Sequence, residues 1–314
     1  MPDPALILKA IAVSGGLAAL ILLACGWPWK SPRPKLAGAG SALGVGVGFF
    51  VGCLILGLTP HWPPREDVDR WLFCLLPAVI SAEAISAVAP RPKWIAWLLR
   101  GLVAIAAGRI LLHGSIYIVE LPGAPRKWSV GETWLYLGGM AAALAAVWAS
   151  LLCLVKRAPS RIVPLSVALA SGAAAVTIML SGYATGGQVG LPLSAALAGA
   201  TITSFALAKS TRLDGALGVG IVGLFALLVV GRFFGELTTA HAALLFLAPL
   251  GCWVTEGPYL RTLKSWQRSL LQLFFVSLPL IVVVVEAQRQ FAADSQNSKA
   301  AGKSSGDEYL DYGK

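Results

Sequence analysis

The sequence predicts an all-α integral membrane protein of about ten transmembrane helices, and three observations predict it. Hydrophobic residues make up 57% of the 314 positions and charged ones only 13%, against about 25% charged in a soluble domain. The mean hydropathy is +0.74. Apolar runs of about 20 residues, long enough to cross roughly 30 Å of hydrocarbon, recur with short breaks from Ala5 to Val285. A chain of this kind cannot present water with a polar surface on every side.

The runs are 5–26, 37–58, 71–89, 94–118, 133–155, 162–182, 189–208, 213–231, 241–256 and 267–286. The first is closed by Trp27 and Trp29, and the second carries the small-residue string Ala42–Val47. The third opens at Trp71 and contains Glu83; the fourth opens at Trp94 and contains Arg100 and Arg109. Trp128 and Trp134 flank the start of the fifth, and Lys156 and Arg157 close it. Tryptophans at the ends of runs suit the headgroup region, where an amphipathic ring is half wetted. Between Ile162 and Ala208 the sixth and seventh runs hold no charge and are joined by Ser181–Gln188. Small residues there, among them Ser171, Gly172, Ala195, Gly199 and Ala200, predict close helix approach. The eighth run ends before Arg232 and Glu236, the ninth holds Pro249 and Glu256, and the tenth is apolar from Leu273 to Val285 apart from a break at Pro279.

Charge orients these helices. Alternate connections collect Lys30, Arg33, Lys35, Arg91, Lys93, Lys156, Arg157, Arg161, Lys209, Arg212, Arg261, Lys264 and Arg268, whereas the other short connections hold only Arg65, Arg70, Arg126, Lys127 and Arg232. Short cytoplasmic loops accumulate Lys and Arg. The expected localisation is therefore the plasma (inner) membrane, with both termini extracytoplasmic. The net charge of +10 is scattered over these loops rather than gathered in one patch, so no nucleic-acid partner is expected. Residues 1–286 form one polytopic transmembrane domain, and 287–314, polar and poor in apolar residues, form a disordered extracytoplasmic tail. Its acidic and aromatic end, Asp307–Tyr312, is a docking peptide for an extracytoplasmic protein partner if it has a role.

A parallel repeat of helices 1–4 and 7–10 is suggested by Ala42–Val47 returning as Ala216–Ile221, followed by Leu75–Pro77 against Leu247–Pro249 and Glu83 against Glu256. A shift of six helices preserves orientation, which places the symmetry axis along the membrane normal.

Ionisable side chains inside a span cost about 2.5–3.5 kcal/mol on insertion scales and so point to function or to a partner. Glu83 and Arg100 lie at matching depths, roughly 10 Å from the cytoplasmic end, and are expected to form an intramembrane ion pair. On the fourth run Arg109, His113, Tyr117 and Glu120 fall on one helical face, which is expected to be a substrate pathway or to pack against polar neighbours. The five cysteines sit inside apolar runs without metal spacing and read as small hydrophobes. Leu22–Cys25 resembles a lipoprotein cleavage site, but the basic residues follow it rather than precede it. His61, His113 and His241 share the outer side with Glu66, Asp67, Glu120 and Glu236 without ligand spacing, so no metal and no cofactor is expected. Phosphate-loop, nucleophile-elbow and zinc-helix motifs are missing. The leading reading is a secondary transporter or permease-like protein for a small solute in the lipid bilayer. The alternative is a non-transporting membrane scaffold or assembly protein, with an intramembrane enzyme behind both.

Overall fold

The computed structural model describes residues 3–26, 34–88, 93–120, 125–157, 161–207, 213–257, 260 and 263–310; the basic connections around 27–33, 89–92, 208–212 and 261–262, and the end of the tail, lie outside them. Among these residues every regular element is a helix. We number the helices α1 (Pro4–Gly26), α2 (Pro34–Ile55), α3 (Asp67–Val88), α4 (Lys93–Leu111), α5 (Val130–Arg157), α6 (Ile162–Leu180), α7 (Ala184–Ala206), α8 (Asp214–Phe233), α9 (Thr239–Leu247) and α10 (Ser265–Leu310).

The bundle is built around α8. Every residue from Gly215 to Gly231 is buried, and α2 to α7 and α9 all pack on it. A helix apolar on all sides has no reason to seek either water or lipid, so it occupies the centre. Its glycines let large neighbours in: a Cβ at Gly223 would meet Leu193 Cδ2 at 2.7 Å, and one at Gly231 would meet Ile178 Cγ1 at 2.5 Å.

Close packing of backbones holds the α1–α2–α7 side together. In α2 the four-residue rhythm Gly40, Gly44, Gly48, Gly52 makes a flat stripe; a Cβ would meet Ala18 O at 2.9 Å from Gly44 and Ser14 O at 2.5 Å from Gly48. Hydrocarbon is as apolar as leucine, so helices in lipid associate through such van der Waals contact rather than through a hydrophobic drive. Gly199 of α7 meets Gly15 of α1 in the same way, with Gly15 Cα 2.8 Å from the place of a Cβ.

The structure departs from the expected runs at four places. Nine helices among the described residues, not ten, are long and apolar enough to span a membrane. The exception is the ninth run, which is α-helical only to Leu247 and continues as a 3₁₀ segment, Ala248–Glu256. Pro249 lacks an N–H and its ring collides with the carbonyl one turn back, which favours the tighter winding. The Cys252 carbonyl is capped from outside, by Gln272 Nε2 of α10 at 3.3 Å.

The fourth run ends at Leu111 rather than at 118. Gly114 adopts φ +74° and the Ser115 hydroxyl donates to the Leu112 carbonyl at 2.7 Å, so the backbone leaves the helix in a turn. The join between the sixth and seventh runs shrinks from eight residues to Ser181–Tyr183, because α7 starts at Ala184; Gly182, at φ +84°, makes the reversal. Finally, α10 continues through Pro279 to Leu310. Residues 287–310, expected to lack structure, extend a helix already nucleated in the bundle, where each added residue needs only one further hydrogen bond.

Candidate functional sites at the two ends of α3

Helix α3 carries a buried acid near each end, and its first turns are irregular. Asp67–Arg70 is followed by a π-helical turn, Trp71–Leu75, before regular α-helix resumes. The π turn turns Trp71, Leu72 and Leu75 inward, with Trp71 against Phe49 of α2 at 5.2 Å.

At one end Glu83, 1% exposed, accepts two hydrogen bonds from Arg100 of α4, Nε to Oε1 at 2.6 Å and Nη2 to Oε2 at 2.8 Å. The planar guanidinium matches the carboxylate fork, the strongest geometry for such a pair. Arg100 also lies over the Trp97 ring at 5.5 Å and the Trp148 ring at 5.9 Å, where the electron-rich faces favour a cation. Room for the carboxylate comes from Gly218 of α8: a Cβ there would lie 2.7 Å from Glu83 Cδ. The pair therefore clamps α3 and α4 against the central helix. A related bridge, Arg268 Nη2 to Glu256 Oε1 at 2.9 Å, ties α10 to the 3₁₀ segment.

At the other end of α3, the sequence singles out Asp67 only as one of the acids near the three histidines. Asp69 accepts backbone N–H groups from His61 (3.1 Å), Arg65 (3.1 Å) and Glu66 (3.2 Å), which anchors the segment entering the helix. Asp67, 6% exposed, faces Tyr183 of the α6–α7 turn, whose hydroxyl lies 3.4 Å from both carboxylate oxygens and donates a long, shared hydrogen bond. Tyr183 is wedged in place: a Cβ at Gly235 would meet its Cβ at 2.9 Å, and Glu236 N–H donates to the Ser181 carbonyl at 3.4 Å. Burial and the Asp67 carboxylate push the Tyr183 hydroxyl well above the usual tyrosine range, so it stays a donor. The only hint in the sequence is that Asp67 and Asp69 stand immediately before an apolar run. Tyr183, 116 positions away, has no local signal at all.

The expected polar stripe is not assembled. Arg109 is exposed on the last turn of α4, and His113 and Glu120 are exposed beyond its end. Tyr117 turns inward instead, with Trp128 and Phe233 each at 5.0 Å and Lys127 Nζ 5.0 Å above its ring. Its partner Phe233 stands two residues before Gly235, which borders Tyr183. The histidines do not converge: His61 gives its backbone N–H to Asp69, His113 is exposed, and His241 Nε2 lies 3.2 Å from Glu286 of α10. Among the described residues no three His, Cys, Asp or Glu side chains gather as a metal site.

No known protein family, curated protein or solved structure matches the chain. Nine long apolar helices among the described residues, one of them buried at the centre of the others, make it an all-α, multi-pass membrane protein.

Proposed function

We propose that the protein is a permease-like secondary transporter for a small solute, crossing the plasma membrane ten times with both termini outside. One observation carries this reading: α3, lying on the central helix, has a buried acid at each end, 16 residues or roughly 24 Å apart, and the outer one is matched by no cation among the described residues. A membrane protein that merely stands in lipid gains nothing from burying an uncompensated carboxylate. The tenth crossing is supplied by α9 with its 3₁₀ continuation. Nine α-helical residues at 1.5 Å and nine 3₁₀ residues at 2.0 Å reach about 31 Å, enough for the hydrocarbon core. Support for the parallel repeat comes from Ala216 N–H donating to Ser41 Oγ at 3.1 Å, so the two similar glycine-rich strings lie side by side.

In this reading solute enters at the outer layer formed by Asp67, Tyr183 and Tyr117, with Arg109, His113 and Glu120 as its exposed rim. The test is a screen of small solutes by thermal stabilisation, followed by flux of the stabilising solute into proteoliposomes. D67N and the R109A/H113A pair should insert normally and lose flux; flux equal to the unsubstituted protein in D67N overturns the reading. A second reading, a scaffold, is favoured by α10 alone: its 46 residues reach about 69 Å, more than twice the hydrocarbon thickness. Truncation after Glu286 that releases a co-purifying protein and leaves flux intact would support it.

A further inference from the structure

We propose that Asp67 is a reversible proton-binding site opening to the extracytoplasmic face, with Tyr183 as the group that positions its carboxyl. The site exists whether or not a solute is carried, so it goes beyond the transport reading.

The argument starts from charge. Taking a carboxylate out of water without a cation costs several kcal/mol. Glu83, buried near the other end of α3, meets that cost with Arg100, the buried Asp69 meets it with backbone N–H groups, and Asp67 has no cation partner among the described residues. The charged and titratable groups around it are accounted for on every side. On its own helix, Glu66 is exposed and negative, and Asp69 spends its oxygens on three backbone N–H groups. From the preceding segment, His61 and Arg65 are exposed. Arg70 donates to the Arg65 carbonyl at 2.7 Å and leans on the α4 end, where a Cβ at Gly114 would lie 3.3 Å from its Nη2. His113 beyond that end is exposed. From the α6–α7 turn comes the Tyr183 hydroxyl, and from the end of α8 and the α8–α9 segment the exposed Glu236 and the exposed Arg232, whose Nε donates to Thr239 Oγ1 at 2.8 Å.

A small cation would need room and several oxygens, whereas a side chain packed to 6% exposure has room for a proton. The Tyr183 hydroxyl and the nearby N–H groups of the first helical turn favour the carboxylate, while burial and Glu66 oppose it. The step is simple: a proton from external water joins one Asp67 oxygen, the carboxylate charge is lost, and Tyr183 keeps its own proton. Asp67 joins α3 to a turn 116 residues away, directly before the π-helical turn, a form of helix that recurs at functional positions. The proton therefore acts at the contact between α3 and the α6–α7 turn.

The experiment is infrared difference spectroscopy of the full-length protein in lipid vesicles, stepped across about pH 4 to 8, the range in which carboxyl and imidazole groups titrate. It uses carbon-13-labelled aspartate to separate aspartic from glutamic bands. A reversible, isotope-shifted band of a protonated carboxyl is expected, absent in D67N. In Y183F the band should persist at an altered frequency, since the carboxyl loses its hydrogen-bond partner. No aspartic band in the unsubstituted protein, a band retained in D67N, or an unchanged frequency in Y183F each overturns the proposal. Because Y183F keeps the acid and removes one hydroxyl, it carries the test even if D67N fails to fold. No solute is used, so failure here and failure of the transport reading are seen separately.

Discussion

Removing both members of the Glu83–Arg100 pair should cost clearly less than the sum of removing each alone. Glu83 is 1% and the Arg100 side chain 8% exposed, so a charge left behind has little water to turn to. Breaking a buried pair from one side costs about 3–5 kcal/mol. R100A also loses two ring contacts, at 5.5 and 5.9 Å, of about 0.5–1 kcal/mol each. The double variant E83A/R100A leaves no orphan charge, and its cost should fall short of the sum by about 2–4 kcal/mol. Interhelical hydrogen bonds in membrane proteins couple by only about 0.6 kcal/mol on average and about 1.7 at most, so the expected value lies outside the range for uncharged partners. The assay is equilibrium unfolding in mixed micelles by sodium dodecyl sulfate, followed by helical circular dichroism, for the four corners of the cycle. R100K, which keeps charge but cannot fork, should recover only part of the coupling. A coupling at or below about 0.6 kcal/mol would mean that both side chains are hydrated, and the clamp would be refuted.

Two further outcomes follow from the packing and from Tyr183. G44L should push α1 off α2, because even its Cβ would meet the Ala18 carbonyl at 2.9 Å, and lower stability by about 1–3 kcal/mol in the same unfolding assay. G139A in α5, where nothing lies within 4 Å, should be neutral or stabilising by up to about 1 kcal/mol; equal losses at both sites would refute the glycine stripe. In an ultraviolet titration of the folded protein, a tyrosine step should appear above the usual tyrosine range, and Y183F should abolish that late step. Since the folded protein raises this group, its contribution to stability is full below about pH 10 and is lost as the pH rises further; a titration identical in the unsubstituted protein and Y183F above that range would contradict it.

Much of the architecture is carried by local chemistry. Twenty apolar residues in succession have one stable form in lipid, a helix, because every backbone polar group must be satisfied within the segment. That is why the positions of the runs, the tryptophan belts and the matching depths of Glu83 and Arg100 can be read along the chain. The bidentate geometry of that pair also needs Gly218, contributed by a helix more than a hundred residues later, and no window on the sequence contains both. The ends of helices are harder to read than their middles. Hydropathy continues smoothly through Leu112 and Ile116, and it was a single glycine at φ +74°, with a serine competing for the carbonyl, that ended α4 and dispersed the stripe of Arg109, His113, Tyr117 and Glu120. Pro249 is visible in the sequence, but the 3₁₀ winding after it is sustained by Gln272 from another helix.

The buried acid at the N-terminal end of α3 marks the limit most clearly. Asp67 reads as a loop residue before an apolar run, and its sequence neighbours, Glu66 and Arg65, are themselves exposed. It is buried because the α6–α7 turn folds across it and brings Tyr183 from 116 positions away. By itself, then, the sequence determined that the chain enters a membrane and roughly where it crosses, since transfer into hydrocarbon depends on each segment alone. Which helix stands at the centre, which acids are paired and which is left to its tyrosine were decided by tertiary structure, because burial and charge compensation belong to the neighbours a residue acquires only when the bundle closes.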